Sequence, residues 1–124
     1  MGKVRNNIKI KEAVYEIVKK IPKGRVTTYG AIADSLSLSS SLRKITPRYV
    51  GYLLHNNPDP VNIPCHRVVD RNGKLAENFA FGRWRGQRKL LLKEGVKFRD
   101  LPTGRQGERH VDKKFISSLL SNNF

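Results

Sequence analysis

Ile63-Pro64-Cys65-His66-Arg67-Val68-Val69 holds the single cysteine of this 124-residue chain, with an imidazole and a guanidinium directly after it. A lone thiol admits two readings. It is a small buried apolar side chain, the commoner case, or a nucleophile whose thiolate form is favoured by nearby positive charge. His66 and Arg67 favour the second. If residues 65–69 are extended, successive side chains point to opposite faces, so His66 cannot stand directly behind the Cys65 sulfur. Proton transfer between them then needs an intervening water or a bend at Pro64. No cysteine–histidine dyad in direct contact is expected.

The elements around this stretch are read from periodicity. Ile10, Ala13, Val14, Ile17, Val18 and Ile21 recur at three- and four-residue spacing and predict an amphipathic helix over 8–20, stopped by Pro22-Lys23-Gly24. Thr28 is placed to N-cap a second helix with Tyr29, Ile32, Ala33 and Leu36 on one face, and the serine-rich residues 35–41 read as a loop. Thr46-Pro47 marks the start of a third helix, with Val50, Leu53 and Leu54 inward and Arg48, Tyr52 and His55 on a separate face. Two short helices joined by a turn, the second with an arginine-led outer face, outline a helix-turn-helix. Gly51 inside that helix costs stability relative to alanine, so it is expected to permit a close approach.

Pro58 and Pro60 make the next loop rigid. Asp70-Arg71-Asn72-Gly73 is a turn signal that predicts a small hairpin between 67–69 and 74–75. A fourth helix is predicted over 84–94, ended by Gly95. Leu90, Leu91 and Glu94 share one of its faces, and a carboxylate on an apolar stripe needs a donor such as His66 or a backbone amide, unless the helix end frays into water. Residues 97–110 read as a flexible basic connection. Val111, Phe115, Ile116, Leu119 and Leu120 repeat like a short amphipathic helix, free to dock on the domain or on a partner. The expected organisation is therefore one mainly α, winged-helix-like domain over 1–98 with a small β-hairpin, followed by 99–124.

Composition narrows the function classes. Lys and Arg number 25 against 10 Asp and Glu, a net charge of +15, which attracts polyanions, nucleic acid first. An anionic membrane surface ranks below it, because no basic helix lined by Trp or Phe appears. No apolar run is long enough to span a bilayer and no signal peptide is recognisable, so a cytoplasmic protein associated with the nucleoid is expected. One cysteine allows no internal disulfide, and the three scattered histidines lack the spacing of a metal site.

Pro64-Cys65-His66-Arg67-Val68 resembles the active-site signature of the methylated-DNA–protein-cysteine methyltransferases, also called O6-alkylguanine-DNA alkyltransferases. The similarity covers the DNA-binding and active-site domain of that family, over residues 14–98. The family's separate N-terminal domain is expected to be absent. The resemblance implies that Glu94, His66 and a water activate Cys65, and that Asn57 buttresses the turn before it. Arg48 would fill the space left by an extruded nucleotide, and Tyr29 would turn the target phosphate and touch the flipped base. Gly51 and Tyr52 would lie on the helix entering the minor groove. A backbone carbonyl at Val68 would meet the guanine edge, and Arg67 would join the DNA contacts. The implied partner is double-stranded DNA containing O6-alkylguanine, met by a monomer. The implied reaction is one irreversible alkyl transfer to Cys65, with no metal or organic cofactor.

The chain departs from the family at one loop. Where those transferases carry Gly-Tyr-Ser-Gly-Gly or similar, this sequence reads Ala76-Glu77-Asn78-Phe79-Ala80-Phe81-Gly82-Arg83, a slightly longer segment. Two alternatives stand beside the transferase. One is a non-transferring alkyltransferase-like lesion sensor that recruits other repair factors, although such proteins carry Trp or another residue in place of the cysteine. The other is a basic helix-turn-helix regulator with a structural or redox-sensing thiol.

Overall fold

The computed structural model describes residues 2–39, 45–99 and 107–117. Helix α1 spans Gly2–Lys19, longer at its start than the apolar repeat alone predicts; residues 3–7 contain neither proline nor glycine to stop it. Its stripe is buried through Val14 and Val18, and the Tyr15 phenol donates to the Leu53 carbonyl at 2.9 Å, tying α1 to the third helix. A tight closing turn, Lys20 N–H to Ile17 and Ile21 N–H to Val18, precedes Pro22.

Strand β1 (Thr27–Thr28) leads straight into α2 (Tyr29–Ser39), and the Thr28 hydroxyl accepts from the Ala31 amide at 3.0 Å as an N-cap. Residues 35–39 are helical rather than loop. Burial of Leu36 beside Ile32 and Ala33 outweighs the modest helix propensity of serine. Residues 40 and 41 of the expected loop lie outside the described residues. Helix α3 (Pro47–His55) begins as the sequence indicates: the Thr46 side chain caps the Tyr49 amide at 3.1 Å, and Pro47 takes the first turn. Val50, Leu53 and Leu54 are buried against α2, which completes the helix-turn-helix pair.

The small sheet differs from the expected hairpin. The turn itself forms, since the Gly73 amide bonds to the Asp70 carbonyl at 2.9 Å and the Asp70 carboxylate accepts from Asn72 and Lys74 amides at 2.8 Å each. Yet β2 (Val68–Val69) pairs in parallel with β1, Thr27 opposite Val68, while Lys74 bridges His110 antiparallel. Val68 and Val69 are both fully buried, and a strand apolar on both faces is stabilised between covering elements rather than at an exposed edge. The mainly α character with one small β element stands.

Helix α4 (Arg83–Lys93) closes the second of two apolar clusters: Val26, Val69, Leu75, Leu91, Val96 and Val111. Val111 belongs to residues 107–117, which are stitched into the fold; residues 100–106 of the expected connection lie outside the described residues. Leu75 N–H meets the Arg109 carbonyl at 2.8 Å, Val111 N–H the Gly73 carbonyl at 2.9 Å, and Val26 N–H the Phe115 carbonyl at 2.9 Å. Ser117 N–H returns to Val26 at 2.7 Å. Ser117 N–H, which a helix from Val111 would direct to the Lys113 carbonyl, is taken by Val26, and 111–117 holds only a single tight turn at Lys113–Phe115. Leu119 and Leu120 lie outside the described residues.

Because Val111 is fully buried, Val111→Ala is expected to destabilise the domain by about 2 kcal/mol. Urea denaturation followed by circular dichroism checks it; an unchanged midpoint would mean the segment does not dock in solution.

Candidate active site and nucleic-acid face

Cys65 opens a short turn, Cys65–Arg67, rather than an extended strand. Cys65 N–H reaches the Ile63 carbonyl at 2.7 Å and Arg67 N–H the Pro64 carbonyl at 3.0 Å, so the bend allowed at Pro64 is the form the chain takes. Asn57 holds this turn from behind. Its amide donates to the Ile63 carbonyl at 2.7 Å, and its oxygen accepts from Asp59 N–H at 2.9 Å.

Cys65 is only 6% exposed, but it lines a cavity of about 280 Å³. Tyr29, Gly51, Leu54 and His55 line one side of that cavity, and residues 76–80 the other. Burial pushes the Cys65 thiol up, opposed in part by hydrogen bonds from Asn57 and the backbone. The lowering expected from His66 and Arg67 is therefore not met, and the thiol is protonated at neutral pH. Burial, with smaller contributions from Cys65 and Asp70, also pushes the Tyr29 phenol up to about 12, so it faces the cavity as a donor.

Glu94 supplies the carboxylate behind the turn. It stands as the C-cap of α4, where Arg67 grips it bidentately: Nε to Oε1 at 2.9 Å and Nη2 to Oε2 at 2.6 Å. His66 Nε2 approaches the same Oε2 at 3.0 Å, with its N–H not aligned on the oxygen. Burial acts to raise the Glu94 carboxyl, yet the hydrogen bonds from Arg67 and the closeness of the His66 imidazole outweigh it and hold it below its ordinary value. Burial lowers His66 in turn, against the pull of Glu94, which leaves a neutral imidazole beside a carboxylate.

Arg67 requires a correction. Its guanidinium is committed to Glu94 and, through Nη1 at 2.7 Å, to the Ile21 carbonyl. It is an internal anchor and does not present its charge to DNA, because an unpaired Glu94 carboxylate in this position would be costly. Val68 is fully buried and is absent from the cavity lining. Its carbonyl already accepts the Gln87 amide at 2.9 Å, so only a second lone pair is left to offer a base.

Arg48, Tyr52 and His55 lie exposed along the outer face of α3, with the Tyr52 ring 63% exposed and stacked on Tyr49 at 6.2 Å. A Cβ added at Gly51 would meet the Tyr29 ring at 3.8 Å, an ordinary contact. The protein's own packing thus does not demand glycine there, and the substituent would lie beside Tyr29 at the cavity that both residues line.

Sequence reasoning missed Gln87. Fully buried, it donates to the His66 and Val68 carbonyls at 3.0 and 2.9 Å and accepts from the Ala76 amide at 2.8 Å. It joins the cysteine turn to the loop that forms the far cavity wall. The available signal was its position three and four residues before Leu90 and Leu91, a polar residue on an apolar stripe. Gly86 was also passed over: a Cβ there would overlap the Phe81 carbonyl, so the loop can lie against α4 only over a glycine. Among the described residues no group of three or more His, Cys, Asp or Glu could hold a metal, and no helix is long and apolar enough to cross a membrane.

The family profile described as 6-O-methylguanine DNA methyltransferase, DNA binding domain, matches residues 9–96. Methylated-DNA–protein-cysteine methyltransferases of Saccharolobus islandicus and Pyrobaculum aerophilum are 47% identical over 88 residues and 38% identical over 96. The match takes in 68% and 74% of this chain, but 50% and 56% of those proteins, so the chain spans about half the length of the curated relatives it matches. The crystal structure of Mycobacterium tuberculosis O6-methylguanine methyltransferase superposes with a TM-score of 0.56 at 33% identity, over 68% of this chain and 47% of that one. Fission yeast Atl1, crystallised with damaged DNA containing O6-carboxymethylguanine, gives a TM-score of 0.70 over 89% of this chain and 95% of its own; at 24% identity this likeness concerns the fold alone.

A helix-turn-helix pair packed beside a cavity with a cysteine in its wall, with His66 and Glu94 behind that turn, defines a DNA-binding domain of the alkyltransferase type. The chain belongs to the 6-O-methylguanine DNA methyltransferase family, through its DNA-binding domain.

His66 and Glu94 both titrate lower in the folded protein, so the unfolded chain binds more protons and acid destabilises the fold. The His66 contribution is full above the ordinary 6.5 and is lost as pH falls from there towards the folded value. Glu94 follows below its ordinary 4.5. His66→Gln is expected to flatten the first part of this decline; urea midpoints compared between about pH 7 and about pH 5 test it, and parallel curves for the two proteins would count against it.

Proposed function

We propose that this domain takes O6-alkylguanine out of duplex DNA and accepts the alkyl group on Cys65. The observation that carries the reading is Cys65 in the lining of a cavity that α3 borders through Gly51, Leu54 and His55. A base inside a duplex hides its alkyl carbon, so extrusion is needed, at a cost of a few kcal/mol. In this reading Arg48 enters the vacated stack, Gly51 and Tyr52 lie against the minor groove, and the Tyr29 phenol donates to the extruded base.

Chemistry then needs a thiolate from a thiol that burial keeps protonated. Neutral His66 takes the proton through one intervening water, and Glu94 stabilises the imidazolium that forms. The sulfur attacks the alkyl carbon in line, an S–C bond forms as the C–O6 bond breaks, and the electron pair goes to guanine O6. The proton passes from His66 to the departing guanine. A thioether is a poor leaving group, so each molecule acts once. Asn57 keeps the turn in register throughout.

An oligonucleotide carrying one O6-methylguanine tests this. The peptide containing Cys65 is expected to gain the mass of one methyl group, and Cys65→Ala to gain none. Tight lesion binding with an unmodified peptide would instead identify a sensor. Arg48→Ala is expected to weaken capture of the lesion about tenfold or more, and binding to undamaged duplex much less, because filling a vacated stack matters only when a base is out. Equal losses, measured by fluorescence anisotropy, would reduce Arg48 to a phosphate contact.

A further inference from the structure

On the other side of the loop 76–83 lies a second cleft of about 360 Å³, lined by Glu77, Asn78, Gly82, Arg83, Trp84, Arg85 and Arg109. Three of these are arginines, from two separate parts of the chain: Arg83 and Arg85 at the start of α4, and Arg109 from the C-terminal segment beyond the residues that match the family. Arg85 and Arg109 lie over the Trp84 ring at 4.8 and 4.4 Å from its centre, which holds both guanidiniums at the cleft. The single carboxylate present, Glu77, lies 3.7 Å from Arg109 and 3.6 Å from Lys74, and is exposed. Such long, solvated pairs are weak and easily exchanged for a better anion. Arg83 stands at φ +58, where glycine would be unstrained, so the fold carries a disfavoured backbone at the position that brings a third guanidinium here.

We infer that this cleft is a second phosphate site, in which Arg83, Arg85 and Arg109 take a phosphodiester of the DNA strand that reaches the cysteine cavity. The chemistry is that of guanidinium forks, whose planar donors match the oxygens of a phosphate. The placement comes from the loop: Glu77 and Asn78 line both the cleft and the cysteine cavity, so a strand entering one passes the other. This assignment rests on the DNA-binding reading above, but not on alkyl transfer.

The chain's one tryptophan is Trp84, so tryptophan emission comes from a residue that lines this cleft. The full chain is titrated with an undamaged duplex at several salt concentrations, following Trp84 emission and the anisotropy of a labelled duplex. Binding is expected to change the emission. An Arg83→Gln, Arg109→Gln double variant is expected to bind several-fold more weakly, with a salt slope shallower by about 1, the loss of one phosphate contact. Lys93→Gln, at the far end of α4, controls for general charge and is expected to change both less. Duplex binding with silent Trp84 emission and an unaltered slope in the double variant overturns the site while leaving the α3 reading intact. No duplex binding by the unmodified protein sinks both. Inorganic phosphate that shifts the emission when duplex does not assigns the cleft to free phosphate and overturns the DNA strand.

Discussion

The bidentate grip of Arg67 on Glu94 is the interaction on which the site depends. Through it the end of α4 is fixed to the cysteine turn, and the remaining Arg67 nitrogen, on the Ile21 carbonyl, adds the turn that follows α1. Three elements distant in sequence thus converge on one carboxylate. Glu94 is left ionised and shielded, with its second oxygen facing His66. Removing the arginine would leave a charge without a partner in a largely desolvated place, a far larger penalty than the pair's net contribution to stability.

That arrangement also decides the electrostatics of the thiol. The cation next to Cys65 in sequence is neutralised by Glu94, and the histidine is kept uncharged by burial. Neither lowers the thiol, which burial raises. A resting sulfur in this form resists stray electrophiles and oxidation, both of which require thiolate. In the proposed reaction, activation coincides with occupation of the cavity, when a proton acceptor and a reacting carbon are brought together.

Around this centre the protein is built as two apolar clusters with the cysteine turn and β2 between them. One is the helical cluster of α1, α2 and α3; the other is closed by α4 and the C-terminal segment. Gln87 bridges the turn to the cavity loop by three hydrogen bonds, so the far wall of the cavity is coupled to the carbonyls of His66 and Val68. The segment that lies outside the family match both buries Val111 and delivers Arg109 to the second cleft.

Much of this was legible in the residues. The helical repeats, the Thr28 and Thr46 caps, the outward face of Arg48, Tyr52 and His55, and the need of Glu94 for a donor all follow from local periodicity and chemistry, which depend on neighbours a few positions away. What local rules could not reach were pairings between distant segments. Parallel pairing of Thr27–Thr28 with Val68–Val69, capture of Arg67 by Glu94, and docking of 107–117 each join groups far apart along the chain. Their identity is settled by which partners burial leaves available, so the sequence determined which groups could do chemistry, and only the tertiary structure decided which of them face the cavity and which are consumed in holding it.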